Sequence, residues 1–187
     1  MDKKLSSKAL LIYLIKKAYD PFCTADSYQD IKSILFHSNN FHGMNYLYLA
    51  ESYIEDDFSL FKISQEQAIH FCKKALKEDN PYGYYCLYKI YLKANGCKKA
   101  RIFLRLSCSS SITEAYLEMG KNYQEGFLFS KDYKKAENCY LKALYLGNKE
   151  SYFYLLLLAL KERKTEKAYK IYSIAEKDNY RLPGVAL

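Results

Sequence analysis

Residues that break regular structure are scarce in this sequence. Its 187 residues include three prolines, seven glycines and no tryptophan. A chain with so few breakers favours long helices joined by short turns. Hydrophobic residues make up 50% of the chain, which argues against disorder, and the length suffices for one domain with a substantial buried core.

Residues and motifs that carry catalysis are also missing. The three histidines are His37, His42 and His70, and the one close histidine–cysteine pair, His70 with Cys72, would point its groups to different sides of a helix. The sequence has no glycine-rich phosphate loop, no G-x-S-x-G and no H-E-x-x-H. Residues 59–62 read S-x-x-K, but the partner motifs of penicillin-recognising enzymes are absent. We therefore predict a protein that is not an enzyme and holds no metal and no cofactor.

Signals for secretion or membrane insertion are absent as well. The apolar run from Ala9 to Ile15 ends at Lys16 without a small-x-small cleavage site, so we interpret it as part of a first core helix. The nine apolar residues 152–160 are too few to span a bilayer. The cysteines, which show no regular pairing, are Cys23, Cys72, Cys86, Cys97, Cys108 and Cys139. We expect a cytoplasmic protein with reduced cysteines and no membrane contact.

The sequence does contain an internal repeat. Small residues recur seven positions apart in four similar segments: Ala68 and Ala75, Ala100 and Ser107, Ala136 and Ala143, and Ala168 and Ala175. An amphipathic segment precedes each pair, so each copy is predicted to be a hairpin of two helices. Because seven residues make two helical turns, both small residues lie on one face, where another helix can approach closely.

The repeats predict an all-α protein, an α/α superhelical solenoid of about five helix hairpins. A degenerate pair at 1–43 forms the N-terminal cap, and 183–187 form a tail. The repeats between them cover 44–80, 81–111, 112–148 and 149–182, all within one domain. The loop inside the hairpin is long at 54–65 and 124–133 and short at 94–96 and 161–164.

Residues 114–147 resemble a Sel1-like repeat. The matching residues are Ala115, Met119, Gly120, Tyr123, Gly126, Lys135, Ala136, Tyr140, Lys142, Ala143 and Gly147. The copy at 44–80 matches at fewer positions, and those at 81–111 and 149–182 equally resemble tetratricopeptide repeats. The resemblance covers roughly residues 44–180. It implies an α/α superhelix that mediates protein–protein contacts and has no conserved catalytic set.

Charge is distributed unevenly along the chain. Lysine and arginine outnumber aspartate and glutamate by 29 to 21, a net charge of +8. The repeat at 81–111 contains no acid, and its cations are Lys89, Lys93, Lys98, Lys99, Arg101 and Arg105. This distribution favours a protein partner with an acidic patch. Two alternatives stay open: these cations form only a solvated face, or the 81–111 hairpin binds RNA or another polyanion.

Candidate partner-binding residues lie on the concave face, which the first helix of each hairpin would line. If Tyr53, Tyr91 and Tyr123 share one buried position of the repeat, the lining residues include Glu51, Tyr85, Lys89, Lys93, Lys121, Gln124, Phe153 and Lys161. Tyrosine at such positions offers a large contact area and a hydroxyl group. The alternative is that half of the tyrosines fill the core between helices.

The predicted function is a non-catalytic scaffold or adaptor that binds a protein or peptide on this concave face. The lysine-, isoleucine- and tyrosine-rich composition suggests an AT-rich genome, and hints at a bacterial or large-virus source. A partner-specific role, as an immunity protein or an effector, stays open beside that of an ordinary scaffold.

Overall fold

The computed structural model describes residues 43–55 and 64–183. Within these ranges the regular structure consists of eight α-helices and no strand. The helices are α1 (Met44–Glu55), α2 (Gln65–Lys77), α3 (Tyr82–Lys93), α4 (Cys97–Ser109), α5 (Thr113–Glu125), α6 (Tyr133–Tyr145), α7 (Ser151–Lys161) and α8 (Thr165–Lys177). The all-α prediction is confirmed for this part of the chain, whereas the superhelix stays a prediction.

Some predictions concern residues outside these ranges. They are the helical cap at 1–42, the S-x-x-K tetrad at 59–62, the centre of the first long loop at 56–63, the end of the tail at 184–187, and Cys23, His37 and His42.

The chain forms two compact units, which divide between Gly83 and Tyr84. In the first unit α1 packs against α2. In the second unit packing follows the order of the chain, with α4 on α5, α5 on α6, α6 on α7 and α7 on α8. Within each unit, these packed helices are consecutive in sequence, as expected for helix hairpins. The prediction of a single domain stays a prediction.

The small residues are buried, as the repeat predicts. We call α1, α3, α5 and α7 the first helices and α2, α4, α6 and α8 the second helices. The second helices begin 32, 36 and 32 residues apart, and the first small residue of each pair is the fourth residue of its helix. Seven of the eight small residues are 0% exposed, and Ala168 is 4% exposed. A larger side chain at these positions would push the neighbouring helix away.

Every second helix ends in the same backbone motif. The residue in the left-handed conformation follows the first small residue by eleven positions in each case, at Asp79, Ser111, Gly147 and Asn179. The N–H of the residue that follows donates a hydrogen bond to the carbonyl of the second small residue, as in the 3.0 Å bond from the Asn148 N–H to the Ala143 carbonyl. This Schellman ending satisfies carbonyls that the helix leaves unpaired and stops it at a fixed distance from the small residues.

Long and short hairpin loops start the second helix differently. Ser64 caps α2 by accepting a hydrogen bond from the Gln67 N–H, while the Gln67 side chain accepts one from the Ser64 N–H. Asp132 caps α6 by accepting from the Lys135 N–H at 2.9 Å. α4 and α8, which follow short turns, begin without a side-chain cap. A capping side chain defines the helix start where a long loop leaves that start less constrained.

Candidate functional site

Side chains of the first helices α3 and α5 form a connected polar and aromatic group. The Lys89 ammonium lies 5.6 Å from the centre of the Tyr85 ring, within cation–π range. The Tyr85 ring lies 5.9 Å from the Tyr88 ring, and the Tyr88 hydroxyl donates a 3.4 Å hydrogen bond to Glu118 of α5. Glu118 also pairs with Lys121 at 2.9 Å. The two helices are therefore linked through Tyr88 and Glu118.

The group continues from α5 to α7. The Lys121 ammonium lies 4.7 Å from the centre of the Tyr154 ring. Tyr154 stacks on Tyr140 of α6 with ring centres 5.5 Å apart, and the Tyr140 hydroxyl donates a 3.1 Å hydrogen bond to the Gln124 side chain. Phe153 meets the Tyr154 ring edge-on at 5.5 Å. Three of the predicted site residues, Lys121, Gln124 and Phe153, thus contact Tyr140 or Tyr154. These two tyrosines were not among the predicted site residues.

The face that these side chains form changes character from one repeat to the next. We call it the first-helix face, and it comprises Tyr85, Tyr88, Lys89, Glu118, Lys121, Gln124, Phe153, Tyr154 and Leu157. Lys89, Lys121 and Leu157 occupy the same position of successive repeats. Leu157 is 38% exposed, and Phe153, one turn away, is half-buried. α3 and α5 therefore present cations beside aromatic rings, whereas α7 presents apolar side chains.

Burial and Glu118 set the ionisation states of Lys121 and Tyr88. Burial opposes the charge on Lys121, but the hydrogen bond and charge of Glu118 outweigh it, so the pKa of Lys121 is raised above its ordinary value. Burial, and then the charge of Glu118, raise the pKa of Tyr88 well above its usual range. Lys121 therefore stays a cation, and Tyr88 a neutral hydrogen-bond donor, at physiological pH.

The other three predicted site residues occupy different surroundings. Glu51 lies in α1 and so belongs to the first unit. Lys93 is exposed in the last turn of α3. Lys161 is exposed at the end of α7, with its ammonium 5.9 Å from the centre of the Tyr133 ring. The contacts of the first-helix face connect the remaining five predicted residues.

The expected burial of Tyr53, Tyr91 and Tyr123 is wrong, because all three are half-buried. Tyr91 stacks on Phe103 at 5.4 Å, and Tyr123 stacks on Phe129 at 4.8 Å. One face of each of these two rings is covered by another aromatic ring, and a lysine ammonium also lies near the ring. Tyr123 also packs against the core cluster that includes Ala136 and Tyr140.

Lysine–tyrosine contacts recur within the hairpins. In the hairpin of α5 and α6, the Lys135 ammonium lies 5.7 Å from the centre of the Tyr123 ring, and that of Lys142 lies 4.9 Å from the Tyr116 ring. The equivalent contacts elsewhere are Lys99 with Tyr91 at 5.0 Å and Lys74 with Tyr46 at 5.2 Å. In each case the lysine directly precedes one of the small residues. The Lys-Ala pair of the repeat therefore combines close helix approach with a cation–π contact of about 0.5–1 kcal/mol.

The sequence reasoning missed Glu118, Tyr140 and Tyr154. The three-residue spacing of Glu118 and Lys121 on one helix is a signal that could have identified the first of them. No local signal identifies the other two, because their contact joins α6 to α7 and depends on how these helices pack.

Three further observations concern the cysteines, the potential metal ligands and the helix lengths of the described residues. The cysteines Cys72, Cys86, Cys97, Cys108 and Cys139 are all free thiols. Across 43–55 and 64–183, histidine, cysteine, aspartate and glutamate side chains form no group of three or more that could hold a metal ion. Within the same ranges, no helix has the length and apolar character needed to cross a membrane.

No protein-family model matches the sequence, and no curated protein is significantly similar to it. The Sel1-like resemblance therefore depends on the residues of the repeats themselves.

Proposed function

We propose that this protein is a non-catalytic Sel1-like helical-repeat scaffold that binds another protein through the first-helix face. In this proposal the hairpins stack into a superhelix, and the first helices line its concave side. The observation that carries the proposal is the linked set of side chains across α3, α5 and α7. Their mutual contacts hold aromatic and charged groups in place before binding, which lowers the entropy lost when a partner is bound.

The character of the face indicates what kind of segment would fit it. Lys89 and Tyr85 on α3 would receive an acidic side chain, because the ammonium of the half-buried Lys89 attracts a carboxylate. Phe153 and Leu157 on α7 would receive an apolar side chain, since partly exposed apolar groups gain by leaving water. The proposed partner is therefore a protein segment with acidic residues toward α3 and apolar residues toward α7. Roles as a bacterial adaptor, an immunity protein or an effector all fit such a face.

The test begins with native affinity purification of the tagged protein, followed by mass spectrometry of what it retains. A protein partner is expected, and recovery of nucleic acid alone would contradict the proposal. The binding rates of the purified partner are then compared between the wild type and Lys89→Glu with Lys93→Glu. We expect slower association and a weaker dependence on salt, because steering charges have been reversed. Tyr85→Ala should mainly speed dissociation by removing an aromatic contact.

The matched control is Lys170→Glu with Lys177→Glu, which makes the same change of charge at exposed positions of the second helix α8. The control should melt close to the wild type, because exposed substitutions usually change stability by no more than about 0.5 kcal/mol. Lys89 and Tyr85 are half-buried, so binding by their variants is measured at a temperature at which circular dichroism shows them folded. A folded Lys89→Glu, Lys93→Glu variant that keeps the wild-type rate and affinity would remove α3 from the binding face. An equal loss in the control would indicate attraction by net charge without a site.

A further inference from the structure

A second candidate site lies between α4 and the α5–α6 hairpin. It is an open pocket of about 430 Å³ between α4, the loop 126–132 and the start of α6. Its lining includes the cations Arg101, Arg105 and Lys135 and no acidic residue. Lys135 pairs with Asp132 at 3.2 Å. Among the described residues, Arg101 and Arg105 have no carboxylate within ion-pair distance, so the pocket has an excess of positive charge.

Comparison of two successive repeats shows why this excess is unusual. Glu137, which follows the first small residue of α6, pairs with Lys167, which precedes the first small residue of α8. The equivalent residues one repeat earlier are Arg101 of α4 and Lys135 of α6. A position that holds an ion pair between α6 and α8 thus holds two cations between α4 and α6. Because Lys135 pairs with Asp132, the cation that an anion from outside would neutralise is Arg101.

One aromatic ring, that of Phe129, contacts both arginines. The guanidinium carbons of Arg101 and Arg105 lie 5.7 and 5.2 Å from the centre of the Phe129 ring. Phe129 is buried, whereas Phe127 in the same loop is 63% exposed. Stacking on a ring restrains a guanidinium and leaves its N–H groups available to an acceptor.

The loop that carries these rings is held at both ends. The buried Asn122 side chain accepts a 3.3 Å hydrogen bond from the Leu128 N–H, and Leu128 is 1% exposed. The Asp132 N–H donates to the Tyr123 carbonyl at 2.9 Å. Phe127 and Phe129 flank the buried Leu128, so the loop presents one ring to solvent and the other to the arginines. The pocket is therefore formed before any ligand arrives.

We propose that this pocket binds a carboxylate side chain of an acidic protein segment through Arg101 and Arg105, with an apolar residue of that segment against Phe127. Paired arginines offer a carboxylate two-pronged hydrogen bonds. Exposed apolar side chains favour a protein over a nucleic acid. Phe127 lines the pocket and is 63% exposed, and Ile102 and Leu106, which follow the two arginines in the sequence of α4, are 55% and 37% exposed. Apolar side chains gain from contact with an apolar residue and add little to a sugar–phosphate backbone. The proposal is independent of the first-helix face, since the two sites share no residue.

The test uses the full chain and three short fluorescent probes. One is a peptide of glutamate and leucine, the second replaces every glutamate by glutamine, and the third is an oligouridylate of similar length. Fluorescence anisotropy should show saturable binding of the acidic peptide and much weaker binding of the other two. Arg101→Glu should weaken binding of the acidic peptide about tenfold. This variant should still fold, because it places a carboxylate beside Lys135 as Glu137 lies beside Lys167.

Further variants separate the pocket from general attraction. Phe127→Ala should weaken binding of the acidic peptide without changing the net charge of the protein. Arg105→Gln should cause a smaller loss of affinity, and it does so without introducing a carboxylate. Lys170→Glu, which changes the net charge as Arg101→Glu does, should leave binding nearly unchanged. Three outcomes would overturn the proposal. The acidic peptide shows no saturable binding, or Lys170→Glu weakens peptide binding as much as Arg101→Glu does. In the third, the oligouridylate binds more tightly than the peptide, and Arg101→Glu abolishes that binding. The last outcome would assign the pocket to RNA.

Discussion

Gly120 of α5 lies directly against the Tyr140 ring of α6. A Cβ atom on Gly120 would stand 2.4 Å from the nearest carbon of that ring, and Tyr140 is 0% exposed. The absence of a side chain at Gly120 is therefore what allows a tyrosine to fill the centre of this hairpin, from which its hydroxyl reaches Gln124. Packing between these two residues sets the distance between α5 and α6, and thereby the geometry of the first-helix face.

Gly120→Ala should lower the free energy of unfolding by roughly 1–3 kcal/mol, because overpacking outweighs the gain of about 1 kcal/mol that alanine brings to a helix interior. Urea denaturation monitored by circular dichroism measures the change. Combining Gly120→Ala with Tyr140→Leu should cost less than the sum of the two single changes, since the smaller side chain vacates the space. Additive costs would show that the two residues are not in contact.

Ser151→Ala should leave stability unchanged or raise it by up to about 1 kcal/mol. The Ser151 hydroxyl is 0% exposed and is the one buried side-chain polar atom of the described residues without a hydrogen-bond partner. Removing an unsatisfied buried hydroxyl relieves the cost of its lost hydration. The equivalent residue of the preceding repeat is Ala115, which is also 0% exposed. A loss of more than about 1 kcal/mol in urea denaturation would mean that the hydroxyl has a partner.

Among the described cysteines, Cys97 should react first with a thiol reagent in the folded protein. Cys97 is exposed, whereas Cys72, Cys86 and Cys108 are buried. Burial also raises the pKa of Cys108 to about 12, which leaves almost no reactive thiolate at neutral pH. Brief labelling with iodoacetamide followed by peptide mass spectrometry measures the order. The control is labelling after denaturation in urea, in which all cysteines should react. Comparable labelling of Cys97 and Cys108 in the folded protein would contradict the packing of α4.

Stability should fall as the pH rises above about 9. Burial raises the pKa of Cys108 to about 12 and that of Cys139 to about 11, from an ordinary value of 9.0. In the unfolded chain these thiols lose their protons near pH 9, while the folded chain keeps them, so the unfolded state binds fewer protons between pH 9 and 12. The favourable contribution is complete below pH 9 and is lost as the pH rises toward the folded-state values.

Urea denaturation at several pH values measures this slope, and Cys108→Ala is the matched variant. The variant should show a shallower loss of stability between about pH 9 and 11, because one of the groups whose pKa is raised in the folded state has been removed. An identical slope in the wild type and the variant would show that the Cys108 thiol does not contribute.

The sequence by itself determined the helices, their order and their pairing into hairpins. The spacing of seven between Ala136 and Ala143 follows from the helical period, which is a local property of the backbone. All eight small residues are buried because that period leaves them on one face. Loop lengths were equally readable, since a break in helical periodicity is visible without knowledge of the partner helix. In the candidate site, the sequence could identify Lys89 and Lys121 as equivalent positions of two first helices. It could also identify Phe153 as lying one turn from the equivalent position of a third.

Only the tertiary structure decided which side chains meet. The contact of Lys121 with Tyr154 joins residues 33 positions apart on different hairpins, and it depends on how far α7 slides and rotates against α5 and α6. Such placement depends on how side chains of unlike volume fit together, as Gly120 and Tyr140 do between α5 and α6. The unbalanced charge of Arg101 beside Lys135 likewise becomes visible only when the repeats are aligned in space. A periodic pattern specifies which face of a helix is buried, but packing in three dimensions specifies what that face contacts.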